Sequence, residues 1–105
     1  MTIYMLEVKL NHEKALLFKA LSDENRLSIL ELLLKGETCG CTLIDKLPVT
    51  QPTMSYHLDV LTESGIIQSV KEGKWKKHHV NRDKIDELIR YLTTLKNLKG
   101  SCERG

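Results

Sequence analysis

The sequence predicts a mainly helical domain with one β-hairpin, in the order α-α-α-α-β-β-α, and three observations predict it. Apolar residues recur at helical spacing from Leu16 to Leu61 and again from Ile85 to Leu95. Between Ile66 and Val80 the period becomes strand-like around a glycine. Two short helical stretches are joined by a tight connection, Leu47-Pro48-Val49-Thr50, which is helix-turn-helix organisation.

The elements follow in order. Residues 3–10 are apolar at Ile3, Leu6, Val8 and Leu10 without committing to helix or strand. Asn11 is a candidate cap for a helix through about Leu21 that buries Leu16, Leu17 and Ala20 or Leu21. Ser22 or Asp23 caps the next helix, with Asp23 and Glu24 placed favourably for the helix dipole. Its expected buried stripe is Leu27, Leu30, Leu33 and Leu34, and Lys35-Gly36 ends it. A short helix from about Cys41 or Thr42 stops before Pro48. The next starts at Thr50, accepts Pro52 in its first turn, turns Met54, Leu58 and Leu61 inward and closes at Gly65. Ile66–Val70 and Trp75–Val80 form a hairpin around Lys71-Glu72-Gly73-Lys74. Asn81 caps a last helix with Ile85, Leu88, Leu92 and Leu95 on one face, ended by Gly100. Helix-turn-helix, hairpin and final helix together make a winged helix.

The chain of 105 residues is one domain by size, read as 1–105 with a helix-turn-helix at 41–64, a wing at 66–80 and a tail at 101–105. A hydrophobic fraction of 41% with 29% charged residues describes an ordinary soluble protein, and 5% aromatic content implies an aliphatic core. No apolar run reaches membrane-spanning length, and the N-terminal stretch does not resemble a secretion signal. Three cysteines at irregular spacing favour functional thiols in a reducing compartment, so a cytoplasmic protein is expected. Paired carboxylates, a nucleophile constellation and a phosphate loop are all missing, so no enzyme is expected.

Charge points to a polyanion. Lys71 to Lys84 carries six basic residues against two acidic ones, a local +4 that exceeds the +2 of the whole chain. The outward face of the Thr50–Ser64 helix presents Pro52, Thr53, Ser55, Tyr56 and Asp59, with Gln51 at its N-terminal end and His57 at the border of its inner face. Gln pairs bidentately with adenine, and Ser and Thr bond to bases or phosphates. Lys71, Lys74, Lys76 and Lys77 on the wing supply phosphate attraction. Double-stranded DNA is therefore the expected partner. Trp75 is assigned to packing, and His78 and His79, on opposite strand faces, to structure. The near-heptad final helix and the N-terminal elements are the expected homodimer interface. That helix has no His or Cys, only the oxygens of Asp83, Asp86 and Glu87, which argues against a zinc site there.

Cys39-Gly40-Cys41 is the chemical signature. Side chains at i and i+2 diverge by about 200° on a helix but share a side of an extended segment. The pair can pinch one soft ion only where the backbone is extended or unwound, which Gly40 permits. Two thiols nearly complete a three-coordinate thiophilic centre, and Cys102 is the candidate third ligand, from either protomer, with water or a cellular thiol as the alternative. A redox switch is the rival use, with Cys41–Cys102 or an intersubunit bond expected in preference to a bond within Cys-x-Cys.

From Lys19 to Asn81 the sequence resembles the ArsR/SmtB family of winged-helix repressors. The resemblance is carried by Leu21-Ser22-Asp23 with Arg26 and Ile29-Leu30; by Gln51-Pro52 with Ser55, His57, Leu58 and Leu61; and by Gly65 followed by the Lys71-Glu72-Gly73-Lys74 wing. Glu37-Thr38-Cys39-Gly40-Cys41 is similar to the Cys-x-Cys segment of the family's arsenic and cadmium/lead sensors. Ile44 stands where some arsenic sensors carry a third Cys, Thr42 replaces the common Asp, and the N-terminal cysteines of the cadmium/lead type are missing. The resemblance implies a dimeric repressor that leaves its operator when As(III) or Sb(III) binds thiolates. A redox-responsive or Cd/Pb-responsive repressor of the same fold and a winged-helix protein-interaction module are the alternatives.

Overall fold

The computed structural model describes residues 2–99, with side chains from Leu10 onward. Five helices and one antiparallel hairpin follow one another: α1 (Thr2–Leu21), α2 (Glu24–Leu34), α3 (Gly40–Lys46), α4 (Gln51–Ser64), β1 (Ile67–Glu72), β2 (Trp75–Val80) and α5 (Arg82–Asn97). The expected order holds, with one extension. The uncommitted N-terminal stretch and the helix expected from Asn11 are a single helix of 20 residues.

Local chemistry sets most boundaries. The Asp23 carboxylate accepts the N–H groups of Asn25 (2.8 Å) and Arg26 (3.2 Å), satisfying donors that the first turn of α2 leaves free. Thr50 caps α4 by accepting the Thr53 N–H. Gly65 closes α4 at φ 86, in the left-handed region where a Cβ is disfavoured. The hairpin turn is tighter than the expected four-residue connection. Glu72 pairs directly with Trp75, leaving Gly73-Lys74 as a two-residue turn with Gly73 at φ 63, as a glycine-first primed turn requires. Asn81 caps α5, which ends at Asn97 with Leu98 extended rather than at Gly100, a residue outside those described.

The core is aliphatic: Leu17, Ala20, Ile29, Leu30, Leu33, Leu43, Met54, Leu58, Leu61, Ile66, Ile67 and Leu88 are buried in one cluster. The buried stripe of α2 is rotated from expectation. Arg26, Ile29, Leu30 and Leu33 face inward, while Leu27 and Leu34 are exposed. Leu16 on α1 is also exposed. Only Leu88 of α5 is buried; Ile89, Leu92 and Leu95 are about half exposed, so this amphipathic helix directs most of its apolar face away from its own protomer. Phe18 of α1 and Tyr91 of α5 approach at 6.2 Å between ring centroids, with the Lys14 ammonium 4.7 Å from the Tyr91 ring. Among the described residues no helix is long and apolar enough to cross a membrane.

Asp23 also sets an acid dependence. Partial burial raises its carboxyl, but the backbone bonds from Arg26 and Asn25 and the attraction of His57 and Arg26 outweigh this and hold it below its ordinary 3.8. The folded carboxyl therefore ionises more readily than the unfolded one. Its stabilisation is complete above pH 3.8 and is lost as pH falls through the folded value. Asp23→Ala is expected to cost about 1 kcal/mol at neutral pH, with the gap to wild type closing in more acid solution. Urea midpoints across pH check this; a gap that stays constant well below pH 3.8 contradicts it.

Candidate nucleic-acid interface and thiol site

The packing of α4 determines what it offers outward. Met54, His57, Leu58 and Leu61 are buried, so Gln51, Pro52, Thr53, Ser55 and Tyr56 emerge on the opposite, exposed face. His57 is the correction. Sequence places it among the DNA-contacting side chains; the structure buries it at 5% exposure, with Nδ1 3.0 Å from Arg26 Nη1. Arg26 donates there, so Nδ1 is the acceptor, and Nε2 lies 4.0 Å from Asp23 Oδ1. The same guanidinium donates through Nε to the Ala20 carbonyl (2.8 Å) and through Nη2 to the Lys19 carbonyl (3.3 Å). It closes the end of α1 onto α2 and α4. This Arg26–His57 junction is a positioning feature that sequence reading missed, although both residues belong to the matching motifs.

The wing carries its cations as expected. Lys71, Lys74 and Lys76 are exposed, and Lys77 is half-buried. Lys71 and Lys76 are direct cross-strand partners, an arrangement that repels in isolation and concentrates positive charge for an anion. Trp75, assigned to packing, is instead 60% exposed, because the tight turn carries it beyond the core to the end of the hairpin. His78 and His79 take opposite faces. His79 lies 3.9 Å from Glu72, and His78 is buried with Nδ1 2.7 Å from Ser69 Oγ. Desolvation, then the neighbouring charges of Lys76 and His79, hold the His78 imidazole below its ordinary 6.5, which favours the neutral ring.

Cys39 is the N-cap of α3, extended at φ −94 and ψ 135, with Sγ accepting the Cys41 N–H at 3.4 Å. That backbone brings both side chains to one side. The Cα atoms are 5.3 Å apart and the two sulfurs are bonded to one another, the pairing that sequence reasoning disfavoured. Reduced, the pair offers two soft donors at the start of a helix, where N–H groups favour thiolate. Cys102 lies outside the described residues. Among the described residues no three His, Cys, Asp or Glu side chains gather to hold an ion.

The two candidate sites adjoin. A cleft of about 330 Å³ runs between the thiol loop, the exposed face of α4 and the hairpin; Cys39, Cys41, Gln51, Ser55, Trp75 and Lys76 are among its walls. A ligand on the thiols would thus sit beside the exposed face of α4 and the start of β2.

Comparison with known proteins gives a consistent picture. Residues 23–69 match the family described as bacterial regulatory protein, arsR family. An uncharacterised HTH-type transcriptional regulator of Methanocaldococcus jannaschii is 42% identical over 86 residues, spanning 80% of this chain and 97% of that protein. The arsenical resistance operon repressor of Staphylococcus aureus is 32% identical over 90 residues, 86% of each chain. The solved structure of an ArsR-like transcriptional regulator from Rhodococcus sp. RHA1 superimposes with a TM-score of 0.76 at 31% identity, covering 85% of this chain and 82% of that one.

Proposed function

The chain belongs to the arsR family of bacterial regulatory proteins, transcriptional regulators rather than enzymes, and we propose that it is a repressor that binds operator DNA as a homodimer and is released when As(III) or Sb(III) binds Cys39 and Cys41. The observation that carries this reading is the placement of two same-side thiols at the cap of α3, against the helix whose exposed face would read DNA.

In this reading Gln51, Pro52, Thr53, Ser55 and Tyr56 enter the major groove, and Lys71, Lys74, Lys76 and Lys77 hold phosphates. His57 leaves the contact set because it is buried. The terminal helices join two protomers, supported by the exposed Ile89, Leu92 and Leu95 on α5 and by Leu10 and Leu16 on α1. A soft trivalent ion suits the donor set, with Cys102 proposed as the third thiolate. Holding Cys39 and Cys41 on one centre constrains the cap of α3 and shifts α4 against its operator. By reciprocity, DNA weakens ligand binding by the same factor. The arsenical resistance repressor among its relatives supports the choice of ligand. The bonded sulfurs favour one second reading, a repressor that answers thiol oxidation.

One experiment separates the readings. The reduced protein is titrated onto a labelled fragment of DNA from upstream of its own gene, with arsenite, cadmium or peroxide, at several salt concentrations. Affinity is expected to fall with salt, the logarithmic slope dropping by about 0.9 for each wing lysine changed to alanine. Arsenite is expected to weaken binding by roughly 5–150-fold. Release by peroxide alone transfers the function to redox sensing, release by cadmium alone to a divalent-ion sensor, and absence of salt-sensitive DNA binding to a protein-interaction module.

A further inference from the structure

The loop that carries the thiols is wedged between two DNA-facing elements. A carbon added to Gly40, the residue between the cysteines, would lie 3.9 Å from Leu58 Cδ1 of α4 and 4.0 Å from His78 Nε2 of β2. The preceding residues act as a minimal third strand on the wing. The His78 N–H donates to the Thr38 carbonyl at 2.9 Å, and Cys39 pairs with Lys77 as an antiparallel bridge. The His78 ring is buried and bonds Ser69 of β1 through Nδ1. One ring nitrogen therefore flanks the space beside the residue between the thiols, the other bonds the far strand of the wing, and the backbone of the same residue holds the thiol loop at Thr38.

We propose that His78 is the positioning residue that transmits occupation of the Cys39–Cys41 pair to the basic wing. This adds a route to the one through α3 and α4, and it rests on the reading that a thiophilic ligand binds the pair. When the two sulfurs are drawn to one centre, Cys39 and Gly40 shift. His78 is bonded to the preceding Thr38 through its N–H and to Ser69 through its ring, so it carries the shift into the hairpin. Lys71 and Lys76, the cross-strand pair next along the face that bears Ser69 and His78, then lose their register with the phosphates.

The chain contains its own reporter. Trp75 is the single tryptophan, sits at the start of β2 and shares the cleft with both cysteines. Reduced full-length wild type, His78→Asn and Ser69→Ala are titrated with sodium arsenite. Sulfur-to-arsenic absorption reports binding, Trp75 fluorescence reports the wing, and operator affinity with and without arsenite reports coupling. Both variants are expected to bind arsenite and, without it, to bind operator within about threefold of wild type, while the arsenite-induced loss of DNA affinity shrinks about tenfold and the Trp75 response disappears. Ser69→Ala keeps the test decisive if His78→Asn does not fold. Undiminished coupling in Ser69→Ala, or in both variants, overturns the proposal. Loss of the absorption band in His78→Asn also overturns it, because the imidazole would then be a ligand. Failure of the underlying reading shows in wild type alone, as no absorption or no release, and takes the proposal with it.

Discussion

Cys39→Ser is expected to leave operator binding in place and to abolish release by arsenite. Serine is the informative replacement because Cys39 has two roles. Its sulfur caps α3 by accepting the Cys41 N–H, and serine is itself a good cap, so the helix start survives. What serine removes is the soft donor. With one thiol gone, Cys41 alone cannot tie two backbone positions to a single centre, and the coupling between ligand and DNA collapses. The proposed coupling is about 1–3 kcal/mol, so operator affinity in saturating arsenite should recover by roughly 5–150-fold relative to wild type under the same conditions. Cys41→Ser should behave the same way from an exposed position in the first turn of α3. Anisotropy titrations of the labelled operator measure both. Arsenite-induced release that survives in Cys39→Ser removes the pair from the sensing mechanism and shifts attention to Cys102.

Much of this arrangement is legible in the sequence wherever structure is set locally. Asp23, Lys35-Gly36, Thr50-Gln51-Pro52 and Gly65 mark helix ends through capping and steric rules that act within four residues, and α2 and α4 begin and end at those marks. The outward face of α4 follows from its Met54-Leu58-Leu61 stripe by elimination. Legibility fails where the pattern is degenerate. Ile3, Leu6, Val8 and Leu10 mix both periods, which hides the first half of α1. The run from Leu27 to Leu34 is apolar on nearly every side, so spacing alone cannot say that Ile29 faces inward and Leu27 outward. It fails again where the contact is distant. The Thr38–His78 bond joins a loop to a strand that the hairpin pattern already accounts for, and nothing local announces it. The exposure of Trp75 depends on a turn shorter than its Lys-Glu-Gly-Lys text suggests.

Arg26→Met is expected to be strongly destabilising although it lies away from the sites, costing about 2–4 kcal/mol of stability. A charged residue at 8% exposure within the α2 stripe contradicts binary patterning, and the structure supplies the reason. The guanidinium satisfies the carbonyls of Ala20 and Lys19 at the end of α1 and His57 Nδ1 on α4, a partner 31 residues away. Methionine keeps much of the volume and donates nothing. The Ala20 carbonyl and the imidazole would lose their donor near the core, whereas the Lys19 carbonyl keeps the Ser22 N–H and hydroxyl, and each unsatisfied buried group costs about 1–3 kcal/mol. The loss should appear as a lower urea midpoint with an unchanged slope. A double-mutant cycle with His57→Leu isolates the shared part. Removing the acceptor together with the donor should recover about 1 kcal/mol or more, because an apolar pair leaves no orphan at that contact. A loss below about 0.5 kcal/mol for Arg26→Met, the range of ordinary surface substitutions, would mean that α1, α2 and α4 are held by aliphatic packing alone. A large loss makes the junction the frame on which α4 is aimed. His57 would then serve DNA binding through the orientation of its helix, without touching the duplex.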